Sequence, residues 1–105
     1  MTINDLITKL SAIEGLGVYS VRAEVGATLP YSVIVFGSSD NFEADNKTYI
    51  KRDNLTIELY STSKDSVLES KVESVFDYFE LPFESDETYD DGQQFYLKYY
   101  YITRG

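Results

Sequence analysis

Hydrophobic and polar positions change their period once in the middle of the chain, and that change places its main elements. In Leu55-Thr56-Ile57-Glu58-Leu59-Tyr60-Ser61, the apolar Leu55, Ile57 and Leu59 alternate with Thr56, Glu58 and Tyr60, the period of a strand buried on one face. From Val67 the apolar positions fall at Val67, Leu68, Val72, Val75, Phe76 and Phe79, steps of three and four that make one helical stripe. Glu69, Lys71, Glu73, Ser74, Asp77 and Glu80 fill most of the opposite face, which predicts a helix lying on a sheet with one side wet. Thr62 and Ser63 each offer a hydroxyl to a backbone N–H, with Asp65 and Ser66 three residues on as partial capping boxes. Pro82 marks the stop, because it disfavours helical geometry at Leu81.

The flanking stretches follow the same logic. Ile3, Leu6, Ile7, Leu10 and Ile13 recur at helical steps, with Thr2 as cap and Asp5 near the positive helix end; Gly15 and Gly17 end that helix. Leu16 to Ala23 has the composition of an edge strand, and Glu24 to Leu29 reads as a turn. Tyr31-Ser32-Val33-Ile34-Val35-Phe36 is apolar on both faces, as a central strand covered on two sides is. Gly37 to Asn41 breaks it, and Phe42 to Lys51 forms the tip of a hairpin if the flanking strands pair. After the central helix, Phe83 to Tyr89 forms a short acidic strand, and Asp90-Asp91-Gly92 is a turn in which Gly92 takes the positive φ. Gln93 to Thr103 is the last strand, with Phe95, Leu97, Tyr99 and Tyr101 on one face and Tyr96, Lys98, Tyr100 and Ile102 on the other. The expected class is α+β: one domain over residues 1–105, order α-β-β-β-α-β-β, with both helices packed on a mostly antiparallel or mixed sheet of four to five strands.

Composition narrows the chemistry. A chain of 105 residues holds one core and no separate catalytic domain. It has no cysteine and no histidine, which removes disulfides, thiolate metal sites, cysteine nucleophiles, and the usual routes to zinc binding and Ser-type triads. The start lacks a basic segment followed by an apolar run, and no stretch approaches the ~20 apolar residues of a membrane helix, so the expected setting is soluble and cytoplasmic. The net charge of −9 argues against gripping nucleic acid from outside, which needs clustered Lys and Arg, although an acidic lining suits a channel through which DNA must slide. No Lys or Arg stands between Lys71 and Lys98, while Glu73, Asp77, Glu80, Glu84, Asp86, Glu87, Asp90 and Asp91 all do, so one edge of the fold is strongly negative.

The carboxylates near the last turn, Asp86, Glu87, Asp90 and Asp91, are the available acid–base or cation-binding groups. They sit on a turn with no hydrophobic setting and no EF-hand spacing. No phosphate loop, nucleophile elbow or repeat is present. The sequence therefore predicts no catalytic, cofactor or metal residues. The ten tyrosines, four of them in the last strand, exceed what one thin core requires, and tyrosine serves an interface as well as a half-exposed sheet. Phe42, Tyr49 and Ile50, apolar among polar neighbours, either cover the sheet end of their own chain or pack on a neighbouring subunit.

From Phe42 to Tyr100 the chain resembles the small head–tail joining or tail-terminator proteins of long-tailed bacteriophages and prophages of Gram-positive hosts. Ala44-Asp45-Asn46-Lys47-Thr48-Tyr49, Ile57-Glu58-Leu59-Tyr60-Ser61, Lys64-Asp65 with Leu68-Glu69-Ser70-Lys71-Val72-Glu73, and Glu84 to Tyr89 carry the likeness. The resemblance implies a non-enzymatic virion part, made in the host cytoplasm, that caps the tail tube as a homo-hexameric ring. It implies as partners further copies of itself, the tail tube protein and the head connector proteins, with DNA only as passing cargo, no sequence-specific nucleic-acid binding, no membrane and no cofactor. Ring closure uses heterologous contacts, for which Phe42, Asp45, Tyr49, Ile50, Tyr96 and Tyr100 are the candidate residues. The alternatives are a head-closure or other small connector of the same neck, and an acidic inhibitor or DNA mimic that binds a basic protein.

Overall fold

The structure, a computed structural model, describes residues 2–36 and 53–104. In chain order its elements are α1 (Ile3–Ser11), β1 (Gly17–Ser20), β2 (Tyr31–Phe36), β3 (Asp53–Ser61), α2 (Ser66–Tyr78), β4 (Phe83–Asp90) and β5 (Phe95–Arg104). The class is α+β in the order the periodicity predicts. The strands form one mixed sheet in the order β1-β2-β3-β5-β4. Among the described residues, only β1 with β2 is parallel; the β2–β3, β3–β5 and β4–β5 pairs are antiparallel. The apolar and acidic predictions for the last two strands hold, and β4 is the outer edge.

Both helices cover one face of the sheet. In register, Ile34 lies opposite Ile57 and Ile57 opposite Tyr100, and this row packs with Leu55, Leu59 and Ile102 beneath Leu6 and Leu10 of α1 and Leu68, Val72, Val75 and Phe76 of α2. At nine residues, α1 is shorter than the ~12–15 residues a helix needs to persist alone. The full burial of Leu6 and Leu10, each worth ~2–3 kcal/mol, is what holds it. Thr2 closes its N-terminus with the expected capping box: Asp5 N–H donates to Thr2 Oγ1 at 3.1 Å and Thr2 N–H to Asp5 Oδ2 at 2.9 Å.

The ends of α2 differ from the sequence reading. Asp65 is the N-cap, its carboxylate accepting from Leu68 N–H at 3.0 Å; Thr62 and Ser63 lie in the preceding turn, because the strand runs on to Ser61. The helix stops at Tyr78, before Pro82 can act. Leu81 N–H reaches back to Phe76 C=O at 2.9 Å and Glu80 N–H to Asp77 C=O at 3.0 Å, a Schellman ending in which Glu80 takes φ 58° at the position glycine usually fills. Val67 is exposed rather than in the stripe, and Glu69, placed by periodicity on the wet face, is buried. In the β4–β5 turn the positive φ falls on Gln94, not Gly92; Asp90 organises the turn by accepting Gln93 N–H at 3.1 Å, a side-chain turn that relieves Gly92 of that duty.

The β1–β2 edge shows why Gly17 is small. A Cβ there would stand 3.2 Å from the Tyr19 ring and 3.3 Å from Tyr31 Cβ, so Tyr19 folds across the space a side chain would need. Ser32, fully buried beside it, satisfies its hydroxyl by donating to Gly17 C=O at 3.2 Å, as a buried polar group must.

Candidate functional site

Among the described residues no helix lies on the other face of the sheet, and aromatic side chains dominate it. Alternation puts Tyr19 of β1, Tyr31 of β2, Tyr60 of β3 and Phe95 of β5 on this face, and their rings meet across four strands. Tyr19 meets Tyr31 edge-on at 5.8 Å, Tyr31 stacks on Tyr60 at 4.8 Å, and Tyr60 meets Phe95 edge-on at 5.1 Å. Such pairs are worth about 0.5–1.5 kcal/mol each beyond the area they bury. Tyr99 and Tyr101 stack alongside at 6.0 Å. Val33 and Leu97 are buried on this face although they belong to no part of the helix-side core. The Tyr60 hydroxyl donates to Glu58 Oε1 at 2.7 Å; partial burial and that carboxylate push the phenol well above its ordinary range. The result is a broad aromatic surface, bordered along β4 by Glu84, Asp86 and Asp90.

At the far end of the helix side, four charged residues close the gap between α2 and the β4–β5 hairpin. Glu87 and Lys98 face each other in register. Lys64 Nζ donates to Glu69 Oε1 and to Glu87 Oε1, both at 2.9 Å, and Lys98 Nζ lies 3.4 and 3.5 Å from the same two oxygens. The two cations cancel the two anions, which is what allows Glu69 to be buried. The Tyr96 hydroxyl and the Lys64 ammonium hold the Glu87 carboxyl down to about 2. Of these two, Lys64 is the firmer cause, since the Tyr96 hydroxyl is buried with no partner of good hydrogen-bond geometry. Glu69, and to a smaller degree Glu87, raise Lys64 in turn. Among the described residues no three carboxylates gather closely enough to hold a metal ion.

The residues singled out from the sequence are dispersed by the structure. Phe42, Asp45, Tyr49 and Ile50 lie outside the described residues. Tyr96 and Tyr100 are on the helix side of β5. Tyr96 is half-buried beside Lys64, whose Nζ is 5.5 Å from the ring centre. Tyr100 is fully buried under α2 and donates to Glu73 Oε2 at 2.8 Å, so as a contact for a partner it is corrected: its ring packs on Phe76 at 5.2 Å and Phe83 at 5.3 Å. The aromatic surface is built from the alternate positions instead. Tyr19, Tyr31 and Tyr60 were missed, although the register of Tyr31 with Tyr60 follows once β2 and β3 are paired. No protein-family model and no curated protein matches the sequence.

Proposed function

We propose that this protein is a non-enzymatic structural subunit of a long-tailed phage or prophage that acts at the head-proximal end of the tail, capping the tube and joining it to the head. The observation that carries the reading is the ordered run of resemblances from Ala44 to Tyr89, in a chain of the α+β class that the resemblance implies. The aromatic sheet face supports it, because a ring needs one broad patch that meets a different patch on the next copy. Tyr31, Tyr60, Phe95, Tyr99 and Tyr101 supply the first patch, and Phe42, Asp45, Tyr49 and Ile50 are the sequence's candidates for the second. Burial pushes the Tyr60 and Tyr99 phenols up, and with no histidine or cysteine in the sequence the face offers contact area rather than acid–base chemistry.

The acidic β4 edge favours one second reading, an acidic protein that binds a basic partner without assembling. Deleting the gene from its phage and imaging the lysate by negative stain separates the two. The proposal expects full heads, unjoined tails of uncontrolled length, and rescue by the gene supplied in trans. Intact virions with tails of normal length overturn it and leave the acidic binder.

A further inference from the structure

The edge strand β4 is guarded by negative charge and by no other device. It pairs with β5 without interruption from Phe83 opposite Ile102 to Asp90 opposite Phe95, so no bulge turns its outer side away. Natural edges are commonly blunted by charged side chains, Pro, a bulge or shortness, and of these β4 uses only charge, all of it negative. β4 has eight residues with no Lys, Pro or Gly, and Glu84 to Tyr89 are all exposed. The opposite edge, β1, has only four residues. Glu87 N–H donates to Asp86 Oδ1 at 3.0 Å, which marks the odd-numbered residues as those whose main-chain groups point away from β5. By the alternation of an antiparallel ladder, Ser85 and Tyr89 point outward with it.

Charge decides what such an edge accepts. Pairing with β4 of a second copy, antiparallel and with the helices on the same side, sets Asp86 against Asp86 or, one step along, Glu87 against Glu87 and Glu84 against Asp90. Like charges directly opposite destabilise a strand pair, so the edge rejects itself. Glu87 is already held by Lys64 and Lys98 on the helix side. Glu84, Asp86 and Asp90 remain on the aromatic side, at alternate positions of one strand, and no ion pair among the described residues engages them. Where β4 begins, an open hollow of about 360 Å³ is lined by Pro82, Phe83, Glu84 and Tyr101. A carboxylate beside an aromatic ring is the setting that holds a Lys or Arg side chain by ion pairing and by the ring face together.

We propose that β4 is the docking edge for an extended basic segment of a partner protein. The segment adds to the sheet outside β4, bonding the outward main-chain groups of Ser85 and Tyr89 and the Glu87 C=O, and a carbonyl of the segment takes the Glu87 N–H from Asp86 Oδ1. Its alternate Lys or Arg side chains lie over Glu84, Asp86 and Asp90, one of them entering the Tyr101 hollow. This surface belongs to the single subunit and does not depend on the assembly role proposed above.

The test uses the full chain and a labelled synthetic peptide that alternates lysine with valine and threonine, followed by anisotropy and by amide hydrogen exchange. Binding is expected to weaken at least about tenfold between about 50 and about 300 mM salt, with new protection at the amides of Ser85 and Tyr89. Ser85→Pro removes one outward donor and leaves the β5 ladder in place, as edge strands allow, and is expected to weaken binding about tenfold or more. Glu84→Gln with Asp86→Asn, which removes both charges and keeps an oxygen to accept Glu87 N–H, is expected to weaken binding and flatten its salt dependence even if the proline variant does not fold. Failure of the peptide to bind, binding without protection of β4, equal binding of the same peptide with glutamate for lysine, or β4-mediated dimers of the protein alone each overturn the proposal.

Discussion

The Tyr100 hydroxyl donates to Glu73 Oε2 at 2.8 Å, tying the centre of the sheet to the helix above it through a ring that is itself fully buried. Tyr100→Phe removes only that bond, and the half-buried Glu73 can turn to water, so the expected loss is ~1 kcal/mol. Tyr100→Ala removes the ring that packs on Phe76 and Phe83 and should cost ~3–5 kcal/mol. Urea unfolding measures both. A Phe variant that loses as much as the Ala variant would show that the hydrogen bond, not the ring, carries the contact.

The Lys64–Glu87 contact makes an acid-side prediction. Glu87 titrates near 4.5 when unfolded and at about 2 when folded. A depressed carboxyl contributes stability that is complete above the unfolded value and is lost as pH falls through the folded one. Wild type should therefore exceed Glu87→Gln in stability above about pH 4.5, and the gap should close as the pH falls from there toward about 2. Denaturant midpoints at a series of pH values give the comparison. Glu87 is half exposed, so the gap is expected to be small and to shrink with salt. A gap that stays constant through this range removes the ion pair as its cause.

What the sequence revealed and what it hid follow from the same periodicities. Alternation in β5 tells which residues share a face, but Phe95, Leu97, Tyr99 and Tyr101 are as apolar as Tyr96, Tyr100 and Ile102. Nothing local says which set the helices cover, so from sequence alone Tyr100 is as good a candidate for a subunit contact as for the core. Glu69 misled for a different one. Its position on the helical wheel is flanking, and only Lys64 and Lys98, arriving from a turn and from a strand distant in sequence, make its burial affordable. The helix start was misread because Asp65 and Thr62 are equally good caps, and it is the length of β3 that chooses between them. By contrast the stripes of α1 and α2 and the Leu55–Ile57–Leu59 alternation are local, and those elements stand where the pattern predicts them.

The C-terminus of α2 offers a gain in stability. Glu80 holds φ 58° in a Schellman ending where glycine carries no steric cost, and an L-residue in that region costs ~1–2 kcal/mol. Glu80→Gly gives back part of this as extra freedom of the unfolded chain. The net expectation is a stabilisation of ~0.5–1 kcal/mol, read as a rise in melting temperature. A fall would mean that the Glu80 side chain contributes to the native state by more than its backbone costs.

The aromatic face yields the prediction that bears most directly on the proposed assembly role. In register Tyr99 stands between Glu58 on β3 and Asp86 on β4, so Tyr99→Lys sets a cation between two carboxylates. Cross-strand pairs of opposite charge contribute ~0.2–1 kcal/mol each, which offsets much of what the lost stacking on Tyr101 costs, and folding stability should change by no more than about 1 kcal/mol. An ammonium at the centre of an aromatic contact must be desolvated when a second surface closes over it, and a central contact residue typically carries ~2 kcal/mol or more of binding. Since about 1.4 kcal/mol is tenfold in affinity, self-association should weaken at least about tenfold in sedimentation velocity. If the wild-type protein is monomeric when purified, complementation of the deleted phage replaces that readout. The variant should then fold normally yet fail to restore joined virions. Full rescue by Tyr99→Lys would remove this face from the assembly contact and return the search to Phe42, Asp45, Tyr49 and Ile50.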